Sequence, residues 1–363
     1  MAHTFGLIML NFGEPEAPTM EAVVPFLERI FYNNAPLERF PTEEARRARC
    51  RELAENRAPG LIEDYARIGG SPLNAQAREE ARLVEDELQA RGFNVQAYVA
   101  MQFTDPTIAD VVARAQAGGV DALIALPIYP ICGFSTNVAA LADVERAAAD
   151  LGWDVPIHEL TAWHHDQAYT RLRAENIRRF ASEEGVDLFD PETLLYFSAH
   201  GTPIKYLEMG SRYDGYVEEH CAQIADLLGG PAWTLGYQNH ANRGIAWTEP
   251  DNETHIQTVS ARCLVVEPIS FVHEQSETLA ELDLDFRADV EALGMKMHRV
   301  PVPTDRHGLA AVLADLVTPF LRGDAPATRG LYPCRCRKRE GTVCTNGHRD
   351  VPCHHARYVA SHA

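Results

Sequence analysis

Leu123-Ile-Ala-Leu-Pro-Ile-Tyr129 and Leu264-Val-Val-Glu-Pro-Ile-Ser270 decide the fold. Each is a short apolar run closed by Pro-Ile, and the two lie in different halves of the chain. Such a run, bounded by turn residues, reads as a strand buried on both faces, the kind found in parallel sheets. Runs of the same type occupy 5–13, 93–101 and 155–161 in the first half. In the second half they occupy 194–201, 233–237 and 296–302. Between them lie helical patterns, at 74–91, 107–117, 215–228, 276–293 and 309–321. Strand and helix alternating in this way predict α/β architecture: two similar Rossmann-like lobes, each a parallel sheet covered on both faces.

The expected division is a first lobe over 1–175, a second over 176–325 and a tail over 326–363. Ligands of open parallel sheets bind beyond the carboxyl ends of the strands. Asn11, Tyr129, His200 and the stretch 271–277 fall there, so the site is expected in a cleft between the lobes. Segment 32–68 is rich in Arg and Glu and interrupted by Pro36, Pro41 and Pro59. It reads either as a lip over the cleft or as an excursion packed on the surface.

The 363 residues carry 33 Lys and Arg against 52 Asp and Glu, a net charge of -19. That excludes a general nucleic-acid surface, which needs cations for the phosphates. No apolar run approaches the ~20 residues of a membrane span. The start shows no basic region and no small-residue cleavage site, so no secretory signal is expected and the cytoplasm is the expected compartment.

Ser198-Ala-His-Gly201 places His200 at a strand end, where an imidazole can act as a base, bind a metal or serve structure. Glu277, Glu281 and Asp285 recur at i, i+4 and i+8 and share a helical face. The row is either a solvated face or a path for metal or protons, with His273 nearby adding nitrogen. Cys334, Cys336, Cys344 and Cys353 crowd the tail, apart from the scattered Cys50, Cys132, Cys221 and Cys263. In a reducing compartment such a cluster points to metal before disulfides. Its spacing lacks the paired C-x2-C arms of zinc ribbons.

Several pieces together resemble the ferrochelatases. They are Leu10-Asn-Phe-Gly-Glu-Pro-Glu16, Tyr65-Ala-Arg-Ile-Gly-Gly-Ser-Pro72, Pro127-Ile-Tyr-Pro130, Phe197-Ser-Ala-His200, Tyr237-Gln238 with Trp247, Pro268-Ile-Ser-Phe-Val272 and Glu277-Thr-Leu-Ala-Glu-Leu-Asp283. They follow the family's order from residue 5 to about 320. The resemblance implies the chelatase fold and insertion of Fe2+ into a free-base porphyrin to make haem. It implies His200 and Glu277 as catalytic residues, facing each other across the porphyrin. Phe12, Tyr129, Trp247 and Phe271 match positions lining the macrocycle, and Arg57 and Ser71 match positions that hold a propionate. Segment 32–68 becomes the pocket lip, and His200, Glu277, Glu281 and Asp285 become the iron path.

The resemblance also implies a [2Fe–2S] cluster on Cys334, Cys336, Cys344 and Cys353, with Cys132 as a possible replacement ligand. Zinc is the alternative, with His348, His354 or His355 among its ligands. Phe12, where many coproporphyrin enzymes have tyrosine, favours protoporphyrin IX over coproporphyrin III. Departures from the pattern are Glu274-Gln275, which removes an imidazole, and Gln102-Phe103, which removes a cation. Arg243 or His240 is a further candidate for a propionate. The other readings are a chelatase for another tetrapyrrole or metal and a non-catalytic binder of haem or metal. Expected partners are porphyrin and ferrous iron, with peripheral membrane contact at most, in a monomer or homodimer.

Overall fold

The computed structural model describes residues 3–34, 38–209, 211–239, 244–303 and 305–323. The first half runs β1 (Phe5–Asn11), α1 (Met20–Asn33), α2 (Glu43–Ile68), α3 (Leu73–Ala90), β2 (Val95–Met101), α4 (Ile108–Ala117), β3 (Ala122–Pro127), α5 (Ala139–Asp150) and β4 (Ile157–Glu159). After α6 (Gln167–Glu183), the second runs β5 (Thr193–His200), α7 (Ile204–Glu208), α8 (Tyr213–Leu228), β6 (Trp233–Gln238), α9 (Asn252–His255), β7 (Cys263–Pro268), α10 (Arg287–Ala292), β8 (Lys296–Arg299) and α11 (Arg306–Leu321). π-Helical stretches, Phe134–Val138 and Glu277–Phe286, lead into α5 and α10.

The strands form two parallel four-stranded sheets, ordered β2-β1-β3-β4 and β6-β5-β7-β8. Counted from the start of each half, the two orders are the same. The runs ending in Pro-Ile are β3 and β7, which hold the same place in each: Pro127 lies beside Leu10 and Pro268 beside Ser198. Helical crossovers cover both faces of such sheets. Accordingly Leu7, Met9, Ile124 and Leu126 enter one core while Ile8, Leu10, Leu123 and Ala125 enter another, with the period of two that a pleated strand imposes. Burial of each of the larger side chains contributes about 1.5–3 kcal/mol. The strand order reverses between β1 and β3 and between β5 and β7, where ligand crevices open.

Two features differ from the expectation. Helix α2 runs straight through Pro59. The missing N–H removes a hydrogen bond, but Ala54, Ala58 and Tyr65 are buried against Val23, Phe26 and Leu27 of α1, and that packing outweighs the loss. Thr42 caps the start by accepting from the Ala45 N–H at 3.1 Å, and Gly69, at φ 74°, ends the helix in the left-handed region. The second difference is α11. It follows the second sheet in sequence yet packs on α3, and Leu309, Leu313, Leu316 and Phe320 join Leu7 and Met9 in the first lobe's core.

Beyond β1 the chain turns at Gly13, with φ 78°. A Cβ there would meet Met101 Cβ at 2.8 Å, so glycine alone lets Phe12 and Glu14 enter the same cleft. Among the described residues no helix is long and apolar enough to cross a membrane.

Candidate active site

A cavity opens beyond the carboxyl ends of β1, β3, β5 and β7. Phe12 enters it after β1, Tyr129 after β3, His200 at the end of β5, and Phe271, Glu277 and Glu281 after β7. Arg57 reaches it from α2 and Trp247 from the segment between β6 and α9. Arg57, Leu61 and Tyr65 make α2 part of the cavity wall. Ser71 and Asp285 do not line it. Ser71 donates to the carboxylate of Glu14, which does line the cavity, and Asp285 pairs with Arg67 of α2 at 2.7 Å on the exposed side. The tail cysteines Cys334, Cys336, Cys344 and Cys353, with His240 and Arg243, lie outside the described residues. Cys132 is buried in the second lobe's core.

His200 Nδ1 lies 3.3 Å from Glu277 Oε1. The expectation of a porphyrin between these two side chains does not hold, because no macrocycle fits in that gap. The reason is topological: β5 and β7 are hydrogen-bonded neighbours, so a residue ending one and a residue closely following the other share a wall. The His200 backbone N–H donates to Ser270 Oγ at 3.0 Å, and Gln275 Nε2 donates to Glu277 Oε2 at 3.0 Å, which fixes both partners. Burial alone would lower the imidazole pKa, but the charge and hydrogen bond of Glu277, with the charge of Glu281, outweigh it and raise it.

Glu281 stands behind the pair and accepts from Gln238 Nε2 at 3.1 Å. Burial, reinforced by the Glu277 charge, pushes its pKa from 4.5 up to about 8. Glu277 and Glu281 stand four apart on the π-helix and share a face, so both carboxyls enter one cavity. In metal-free protein, the folded chain holds the Glu281 proton to about pH 8 while the unfolded chain releases it near 4.5. Between those values the native state binds more protons, so stability falls as pH rises. The raised His200 slopes the same way, its contribution being lost as pH climbs through its folded pKa. Glu281→Gln cannot ionise, so its urea midpoint relative to the unaltered chain should rise steadily across this window. A constant difference would mean that the carboxyl is ionised throughout.

Glu14 is a member of the site that sequence reasoning passed over. It accepts from Tyr65 Oη at 2.8 Å and Ser276 Oγ at 2.5 Å, besides Ser71. Burial raises its pKa against these donors, with the Glu277 charge adding to the rise. Its only signal was its place in the strand-end motif 10–16. His273 lines the cavity with its Nε2 engaged by Glu80 at 3.2 Å, and Glu274 is engaged by Arg299 at 2.8 Å. Gln102 accepts from Tyr129 Oη at 3.0 Å, and burial holds that phenol well above its ordinary pKa and therefore neutral. The loop after β7 is pinned from below. Buried Arg173 bonds Glu267 Oε1 at 2.6 Å, the Phe271 carbonyl at 2.6 Å and the Pro268 carbonyl at 3.1 Å.

The ferrochelatase family profile matches residues 4–320. A ferrochelatase of Synechococcus sp. (strain JA-3-3Ab) is 34% identical over 333 residues, 89% of this chain and 95% of the relative. One of Gloeobacter violaceus (strain ATCC 29082 / PCC 7421) is 31% identical over 300 residues, 80% of this chain and 89% of the relative. The solved structure of SirB from Bacillus subtilis with Fe3+ shares the fold, with a TM-score of 0.51 at 10% identity, covering 87% of this chain and 95% of that one. The profile takes in both lobes and every cavity residue from Phe12 to Glu281, and on that ground the chain belongs to the ferrochelatase family.

Proposed function

We propose that this metal chelatase inserts Fe2+ into protoporphyrin IX in the cavity between its lobes, with His200 and Glu277 at the reacting centre. The exchange balances without redox: one Fe2+ enters and the two pyrrole N–H protons leave. The observation that carries the reading is the 3.3 Å contact of imidazole and carboxylate at paired strand ends. Nitrogen and oxygen donors on one wall suit a borderline dication such as Fe2+. The same two groups accept protons. Glu281, close behind, takes a proton on and passes it outward. Asp285, at the exposed end of the row beside Arg67, marks where a cation enters.

Phe12, Tyr129, Trp247 and Phe271 supply flat apolar surface for the macrocycle. Phe12 is held edge-on by Phe103, ring centres 4.7 Å apart. Arg57 is the only Arg or Lys among the described lining residues, and we assign it to a propionate. Counted over the described residues, a single guanidinium at the cavity favours the porphyrin with fewer carboxylates, protoporphyrin IX over coproporphyrin III. Ser71 is already bonded to Glu14, so we give it a supporting role at the same edge.

The tail supplies four thiols, a complete donor set for [2Fe–2S], and we assign Cys334, Cys336, Cys344 and Cys353 to that cluster. When bound it contributes a structural crosslink to the tail. We place the enzyme in the cytoplasm, where the reducing poise keeps those thiols free for metal.

The test is anaerobic turnover with Fe2+ and each porphyrin in turn, followed by loss of free-base fluorescence. Many turnovers with protoporphyrin IX are expected. Turnover with coproporphyrin III alone would reassign the substrate. At most one metalloporphyrin per chain would make the protein a binder. Iron and acid-labile sulfide, not zinc, should accompany the purified chain.

A further inference from the structure

Outside the cavity, a second set of metal-ligating side chains comes together where the loop before α6 meets α8. His164 and His165 lie on the loop, and Glu219 on the helix. Their ligand atoms all lie within 4.8 Å of one another. None of the three lines the reaction cavity. We propose that His164, His165 and Glu219 form a structural cation site that takes one borderline divalent ion of the zinc or ferrous class.

The donor chemistry is set up for it. His164 is buried, and its Nδ1 lies 3.3 Å from the Pro130 carbonyl. A carbonyl accepts, so Nδ1 carries the proton and Nε2 presents its lone pair, which fixes the tautomer a ligand needs. His165 Nε2 is 3.1 Å from Glu219 Oε2, and its Nδ1 is 2.8 Å from Gln223 Nε2. Turning the Gln223 amide over makes it accept from Nδ1–H and frees Nε2 for the ion. Two imidazoles and a carboxylate suit Zn2+ or Fe2+ and not a hard cation. Tetrahedral ligands about 2.0–2.2 Å from one ion lie about 3.3–3.6 Å apart. His165 and Glu219 already stand that close, at 3.1 Å, and His164, within 4.8 Å of both, closes by about an ångström.

A second observation points the same way. His220, adjacent to Glu219, is fully buried, and neither ring nitrogen has a hydrogen-bond partner among the described residues. Its ring lies 5.9 Å from that of His164, with Tyr169 stacked on it at 5.4 Å. Buried polar groups are rarely left unsatisfied without a reason such as an ion or ordered water. Tyr216, Glu219, His220 and Gln223 recur at i, i+3, i+4 and i+7, so α8 turns one face to this cluster. An ion there ties α8 to the Pro130 loop. Tyr213 at the start of α8 and Tyr129 before Pro130 both line the reaction cavity, so the tie braces two parts of its wall.

The test uses Co2+ on the metal-free full-length chain under anaerobic conditions. Equilibrium dialysis counts bound ions, visible absorption separates nitrogen–oxygen sites from the thiolate charge transfer of the tail, and thermal melting reads stability. The unaltered chain should gain a few degrees in Tm. Glu219→Gln and His165→Ala should each lose one nitrogen–oxygen equivalent together with that gain. The loss in Glu219→Gln should add to the separate loss caused by Glu277→Gln at the reaction cavity. Glu219 is partly exposed and glutamine is isosteric, so this variant decides the matter if His165→Ala does not fold. An unchanged ion count and an unchanged Tm gain in Glu219→Gln would overturn the site.

Discussion

His200→Ala is expected to lower kcat for iron insertion by about 10²–10⁴-fold, the range a positioned acid–base group supplies. The porphyrin KM should move little, since the surface proposed for the macrocycle is aromatic and the imidazole contributes a small share of it. His200 is the strand-end nitrogen in contact with Glu277, so its loss removes a proton acceptor and leaves the carboxylate alone with the cation. Stopped-flow mixing of Fe2+ with the porphyrin-loaded chain separates the insertion step from product release. Glu277→Gln keeps the shape and removes the charge, so a comparable loss there shows that the pair acts as a unit. A His200→Ala chain that inserts iron at the original rate would remove this histidine from the chemistry.

Arg173→Leu is expected to destabilise the fold by about 3–5 kcal/mol, the cost of leaving a buried ionic partner alone. The two side chains, Arg173 on α6 and Glu267 on β7, are only 5% and 1% exposed. The guanidinium also serves the Pro268 and Phe271 carbonyls. Urea titration measures the loss. Replacing both partners with leucine should recover much of it, because an apolar pair of similar volume needs no compensating charge. The carbonyls stay unserved in that double variant, so Phe271 loses its fixed place and the porphyrin KM should rise. A single variant that costs less than about 1 kcal/mol would show that the pair is hydrated, and the loop is then held by other contacts.

These two sites differ in how far they could be read from the chain itself. The two-lobed plan was legible because β3 and β7 carry the same local pattern, and local patterns are what a sequence displays. His200 was legible for the same reason: a polar residue ending an apolar run at a strand's carboxyl end. The placing of Glu277 beside His200 was not, because it depends on which strands pair across the sheet. Arg173 and Glu267 are separated by 94 positions, and nothing near either one announces the other. Glu14 is hidden likewise, its donors Tyr65, Ser71 and Ser276 arriving from α2, the turn after it and the edge of the π-helix. The π-helix itself leaves no trace in side-chain periodicity, since Glu277 and Glu281 share a face in either kind of helix. Pro59 misled in the other direction. A local rule against proline was overruled by an apolar face that only the fold brings into contact with α1.

The return of α11 to the first sheet makes the molecule a clasp. A cut between the halves near 190 would leave the amino-terminal piece with a bare apolar groove beside α3 and the carboxyl-terminal piece with the helix that belongs in it. Each fragment is thus the other's missing part, and the duplication visible in the sheets no longer corresponds to two units able to live separately. The clasp also brings the carboxyl end of α11, at Phe320 and Leu321, against the core of the amino-terminal half and away from the strand that carries His200.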